Sequence, residues 1–191
     1  FSYHSAQWLG ADMFPKCTAI ELTVDDHYFT ELPIAPLNNR FKGNETAEKV
    51  MIKFTYSTAT TPVAQTTVTY VVEGNGRIKV SAHYYGGKEL PELPVFGVRM
   101  IMPTMATGFT YTGLSGETYP DRLAGGQEGT YHIDGLPLTP YLVPQEMGMH
   151  MRTSALKVTR ETTQNNADPY PQAFSLQFKQ TNQPFNFSLL P

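Results

Sequence analysis

Between Gly113 and Arg152 the chain runs GLSGETYPDRLAGGQEGTYHIDGLPLTPYLVPQEMGMHMR. The carboxylates Glu117, Asp121, Asp134 and Glu146 fall there among Arg122, His132, His150 and Arg152, with Tyr119, Tyr131 and Tyr141 between them. Converging acids, guanidinium groups and aromatic rings suit a polyhydroxylated ligand. Charged groups bond strongly to sugar hydroxyls, and the apolar C–H faces of the ring lie against aromatic side chains. The same composition also serves a long loop that must satisfy its own backbone. Residue types alone leave both readings open.

Sharper chemistry is tested by spacing. Glycoside hydrolysis needs two carboxyl groups roughly 5 to 10 Å apart, and Glu117 with Glu146 is the first pair to consider. Each alone is an ordinary surface glutamate. His132 and Asp134, two positions apart, share one face of an extended chain, as do His150 and Arg152. Two ligands fall short of the three that a catalytic zinc takes from protein. Asp25, Asp26 and His27 are consecutive and read as turn polarity. The nucleophile elbow, the phosphate-cradling loop and the dinucleotide fingerprint do not occur. Cys17, in a predicted strand with no motif around it, is expected to be a packed thiol. Trp8, the only tryptophan, is expected to anchor a short helix to a sheet rather than stack on a sugar. Met100, Met102, Met105, Met147 and Met149 are expected to fill gaps between sheets.

The elements that must position these groups are strands. Apolar residues alternate at Thr18, Ile20, Leu22 and Val24, again at Val50, Ile52, Phe54 and Tyr56, and at Val68, Tyr70 and Val72. After a Gly74-Asn75-Gly76 turn the pattern returns at Ile78, Val80, Ala82 and Tyr84. Asn and Gly tolerate the positive φ of tight turns, so this segment predicts a β-hairpin. Further strands are expected near Val95 to Met102, Phe109 to Thr112, Met147 to Arg160, Phe174 to Gln180 and Phe185 to Leu190. A short helix is expected over Tyr3 to Leu9, and a surface loop over Gln164 to Pro171. Many short strands with little helix imply an all-β, antiparallel architecture.

Composition narrows the function classes. A chain of 191 residues with 40% hydrophobic and 12% aromatic content can bury one substantial core, and a single domain over residues 1–191 is expected. A net charge of −3 without a basic cluster excludes a nucleic-acid footprint. No apolar run is long enough to span a bilayer as a helix, so no membrane partner is expected. One cysteine permits no internal disulfide, and the cytoplasm is the expected compartment. Asn44-Glu45-Thr46 and Asn186-Phe187-Ser188 match the glycosylation acceptor pattern, which carries little weight without secretion. The chain opens on Phe1 and closes on Pro191 after a strand-like run, and is expected to be a piece of a longer polypeptide.

GLSGETYPDRLAG followed by TPYLVPQEMGMHMRT resembles the C-terminal domain of the bacterial β-galactosidases of glycoside hydrolase family 2, and most closely the small subunit of the lactobacillal two-chain type. That family carries a glycine-led E-x-Y-x-D-R segment and then a Y-x-x-P-Q-E-x-G segment. Gly113, Glu117, Tyr119, Asp121 and Arg122 match the first; Tyr141, Pro144, Gln145, Glu146 and Gly148 match the second. SAQWLGADMFPKCTAIELTV, RIKVSAHYYGG and LPVFGVRMIMP extend the likeness over the chain.

The resemblance implies a mutarotase-like supersandwich of two antiparallel sheets, and a part in hydrolysing terminal β-D-galactosides such as lactose with retention. It implies a β-galactosidase large subunit, or the equivalent domains, as partner and leaves a homo-oligomer open. The family's catalytic glutamates sit on that partner, so no catalytic residue is expected here and the isolated chain should be inactive. Glu117, Tyr119, Asp121, Arg122, Glu146 and His150 are the candidates for binding substrate or organising the loop, and Arg122 is expected to pair with Glu117 or Glu146. No cofactor is expected on this chain, while metal ions stay open for the complete enzyme. Departures are the missing R-A-x-T-D-N-D stretch, the missing aperture loop with its tryptophan, and Ser115-Gly116 in place of Gly-Pro. Two other readings are an aldose 1-epimerase using His150 with Glu146 or His132 with Glu117, and a carbohydrate-binding or assembly module.

Overall fold

The computed structural model describes residues 5–34, 46–102, 104–119, 122–137, 147–162 and 172–191. Two compact units divide the chain, Phe1–Arg99 and Met100–Pro191. The expected all-β, antiparallel architecture is borne out: among the described residues eleven strands carry both units and the helix is a single 3-10 turn, Ser5–Trp8.

The first unit is one five-stranded antiparallel sheet. Its strands are β1 (Lys16–Val24), β2 (His27–Phe29), β3 (Lys49–Ser57), β4 (Gln65–Glu73) and β5 (Ile78–Tyr85), in the order β2-β1-β3-β4-β5. Register aligns the alternations read from the sequence: Leu22 opposes Ile52, Ile52 opposes Tyr70, and Tyr70 opposes Val80. One face therefore gathers the aliphatic and aromatic positions, and the other carries Glu21, Lys53, Thr55, Thr67 and Thr69. The predicted hairpin joins β4 to β5. Gly76 takes φ +83° and its amide donates to the Glu73 carbonyl at 3.0 Å, while Asn75 Oδ1 accepts the Arg77 amide at 2.9 Å, adding a side-chain bond to the turn. Trp8 sits edge-on to Tyr84 of β5 at 6.0 Å, the anchoring role expected of it.

Three expectations for residues 1–106 are corrected. Cys17 is exposed, not packed. The β1–β3 register shifts between Cys17 and Ala19, a bulge at the strand's start, and the first residues of β1, Lys16 to Ile20, are all exposed, so the strand opens with no core to pack a thiol into. Residues 95–102 form no strand. Among the described residues their backbone makes no main-chain hydrogen bond, and a β-branched run becomes a strand only where a neighbouring edge supplies partners. Met100 and Met105 are accordingly exposed instead of filling a gap.

The second unit has a four-stranded antiparallel sheet built from β6 (Gly108–Leu114), β7 (Glu128–Asp134), β9 (Ala155–Arg160) and β10 (Phe174–Lys179), ordered β10-β9-β6-β7. β8 (Met149–Thr153) pairs with β11 (Phe185–Ser188) as a two-stranded sheet that lies against β6. Phe109, Tyr111, Leu156 and Val158 are buried, and Tyr131, Ile133, Phe178, Phe185 and Phe187 pack on them. The strand expected over Met147 to Arg160 is two strands in different sheets. It divides at Ser154, whose amide bonds the Thr112 carbonyl at 2.8 Å, next to a left-handed Arg152 with φ +52°. β7 was not expected at all, because its residues lie in the stretch read as a long loop. The predicted loop over Gln164 to Pro171 lies outside the described residues. Among those residues no helix is long and apolar enough to cross a membrane.

Candidate functional site

The segment after β6 turns back along the start of β8. The Thr118 amide donates to the Met149 carbonyl at 2.8 Å, and the Met151 amide donates to Thr118 Oγ1 at 3.1 Å. This pairing aims Glu117 and Tyr119 at the backbone just before β8. Glu117 Oε2 accepts the Gly148 amide at 3.2 Å and the Tyr119 hydroxyl at 3.5 Å. Gly148 takes φ +68°, a conformation glycine adopts without a Cβ penalty. The two sequence motifs thus meet in space, with Glu117 and Gly148 joined across 31 positions of chain. Gly113 has a different duty. A Cβ there would stand 3.0 Å from Thr153 Oγ1 and 3.1 Å from the Met151 carbonyl, so only glycine lets β8 approach β6 this closely.

Tyr119 is buried, which pushes its phenol above the usual range, reinforced by the Glu117 charge beside it. Arg122 closes the turn from the other side. Its amide donates to the Tyr119 carbonyl at 2.9 Å, and its guanidinium lies over the Tyr119 ring at 4.9 Å.

His150 is buried as well. Its ring stacks on Phe187 at 4.9 Å and touches Tyr111 at 4.6 Å and Phe109 at 5.5 Å. Burial in this aromatic nest pushes its pKa below the ordinary histidine value, opposed by a hydrogen bond to the Gly116 backbone and by the Glu117 charge. Nδ1 is buried without a hydrogen-bond partner among the described residues. Above the nest opens a recess of about 430 Å3, lined by Phe109, Gly116, Glu117, Tyr119, Ile133, Pro137 and His150.

Four of the six candidates, Glu117, Tyr119, Arg122 and His150, therefore converge on one end of the second unit. Asp121 and Glu146 lie outside the described residues, as do Tyr141, Pro144 and Gln145. His132 and Asp134 are on the exposed side of β7, where Nε2 meets Asp134 Oδ1 at 3.1 Å and Nδ1 meets Thr110 Oγ1 at 2.9 Å. His132 is not among the residues that line the recess with Glu117. Among the described residues no group of three His, Cys, Asp or Glu could hold a metal ion. Sequence reasoning missed the apolar lining of Phe109, Ile133 and Pro137. Alternation of Phe109 with Tyr111, and of Tyr131 with Ile133, was the available signal.

The sequence pattern of the β-galactosidase small chain matches residues 2–191. The chain belongs to that family. It is 49% identical over all 191 residues to the β-galactosidase small subunit of Latilactobacillus sakei, and spans 60% of that protein. Its whole length also aligns, at 26% identity, with 16% of a β-galactosidase of Streptococcus thermophilus. A 103-residue stretch, 53% of the chain, is 37% identical to a β-galactosidase of Lactobacillus delbrueckii subsp. bulgaricus and covers 10% of it. No solved structure matches the chain significantly.

Proposed function

We propose that this chain serves in the small subunit of a β-galactosidase, partnered by a large subunit that holds the catalytic glutamates and hydrolyses terminal β-D-galactosides such as lactose. The observation that carries this reading is the full-length likeness to a β-galactosidase small subunit, with Glu117 and Tyr119 of one motif clasping Gly148 of the other. The described residues bring together one carboxylate, a neutral histidine and a phenol at the recess, without a second carboxylate for acid–base work. The chain's part is to shape the assembled site and exclude water, as well as to bind carbohydrate, with proton transfer left to the partner. A cytoplasmic location belongs to the same proposal, supported by the lone cysteine.

Nitrophenyl-galactoside hydrolysis tests it. The chain alone is expected to give no turnover, a lactobacillal large subunit alone little, and the mixture a clear gain. Full turnover by the chain alone, or no gain on mixing, removes the proposal.

A further inference from the structure

We propose that the apolar face of the five-stranded sheet is a docking surface for a further β layer of the small subunit. The occupant corresponds to the two-fifths of the Latilactobacillus sakei small subunit that this chain does not span. The inference rests on the family membership and is independent of the hydrolytic role. Register sorts the residues. Next to the row of Leu22 and Ile52 stands a second row, Val24, Val50, Val72 and Ile78, crossing four strands. Glu21, Lys49, Lys53, Glu73 and Lys79 all alternate to the opposite face, so the apolar face carries no Asp, Glu, Lys or Arg. An antiparallel sheet ordinarily packs its apolar face and wets the other. Here Ile20, Val72 and Ile78 stay 42%, 36% and 56% exposed on the side that should be dry. Strand spacing makes the face about 19 Å by 25 Å, roughly 500 Å2, at the upper end of what a folded monomer leaves bare. At one corner Trp8 and Phe96 lie against Tyr84, at 6.0 and 6.2 Å. Among the described residues of the first unit, no strand crosses the rest.

Length and charge select the occupant. The chain's 191 residues are 60% of the L. sakei small subunit, which leaves roughly 130 residues of that protein unspanned, whereas five covering strands with their turns take about 60. The face offers no charge with which to steer or orient a separate protein. A layer delivered by the same subunit needs none. A large subunit meets the small one only after both have folded, and an open apolar face of this size aggregates first.

The test is to produce the 191-residue chain together with the unspanned residues of the L. sakei small subunit. Binding of an apolar-surface dye is measured, and the Ile20 and Ile78 methyl groups are followed by NMR. Alone, the chain is expected to bind the dye; with the added polypeptide, dye binding should fall about fivefold and both methyl signals should shift. Ile78→Lys is expected to abolish co-purification, whereas Lys79→Glu, the next residue but on the opposite face, leaves it unchanged. Should Ile78→Lys fail to fold, the dye and methyl readouts on the unaltered chain decide alone. The inference is overturned by a chain that binds no dye, by a dimer of the chain that hides both methyl groups unaided, by protection that only a large subunit gives, or by equal loss in the two variants. The subunit-mixing assay is separate. A gain in hydrolysis with this face still open sinks the docking surface and leaves the subunit reading standing.

Discussion

The two units treat the same material differently. Both are antiparallel sheets of alternating sequence, yet the first buries little of its apolar face while the second closes on a nest of rings. In the first, Leu22 is buried at 8% exposure, whereas Ile20 and Ile78 on the same face stay 42% and 56% exposed. In the second, Tyr111 and Val158 are at 1% and 0%. The difference lies in a second layer. β8 and β11 bring His150 and Phe187 down onto β6, and among the described residues no equivalent strand pair within the first unit does this for β1 to β5. Regular alternation makes a sheet; a covering layer makes a core.

The largest expected effect is at Tyr111. Its ring contacts Phe109, Tyr131, His150 and Phe187, and its hydroxyl donates to the Leu114 carbonyl at 2.9 Å. Tyr111→Ala should destabilise by about 3–5 kcal/mol, the range for emptying a buried aromatic site, read as a fall in the denaturant midpoint. Leu22→Ala should cost less, about 2 kcal/mol at the low end for leucine, because its neighbours on the sheet face are already half open. Equal losses would mean the two units are packed alike, and the comparison would fail.

A third substitution separates the units by pH. Folding lowers the pKa of His150, so the unfolded chain binds the proton more readily. Its neutral burial is fully stabilising above the unfolded value of about 6.5. Stability should drain as pH falls below that value. In His150→Phe this component of the acid sensitivity should vanish, seen as a smaller drop in melting temperature between neutral pH and mild acid. An unchanged drop would assign the sensitivity to other groups.

Much of the first sheet was legible, because its alternations are local and its hairpin turn needs no distant partner. Tertiary context decided the rest. The run at 95–102 has strand residues but no described edge to pair with. β7 alternates Tyr131 and Ile133 inward against Thr130 and His132 outward, but it is embedded among turn residues and charged groups that mask its period. The break at Ser154 leaves no glycine or proline to announce it. For the site, Glu117, Tyr119 and His150 stood out through motif spacing, and the clasp on Gly148 follows from that pairing. Phe109, Ile133 and Pro137 were hidden because they come from three separate stretches that only folding brings together.

The division of the 149–160 stretch at Ser154 ties two registers into one. β8 and β9 are consecutive lengths of one extended chain, so β9 cannot slide along β6 without hauling β8 with it. A slip of a single residue in the four-stranded sheet would turn His150 out of its ring of aromatics and present Met149 or Met151 there instead. The sheet ladder thus acts as a gauge, setting the depth at which one histidine sits.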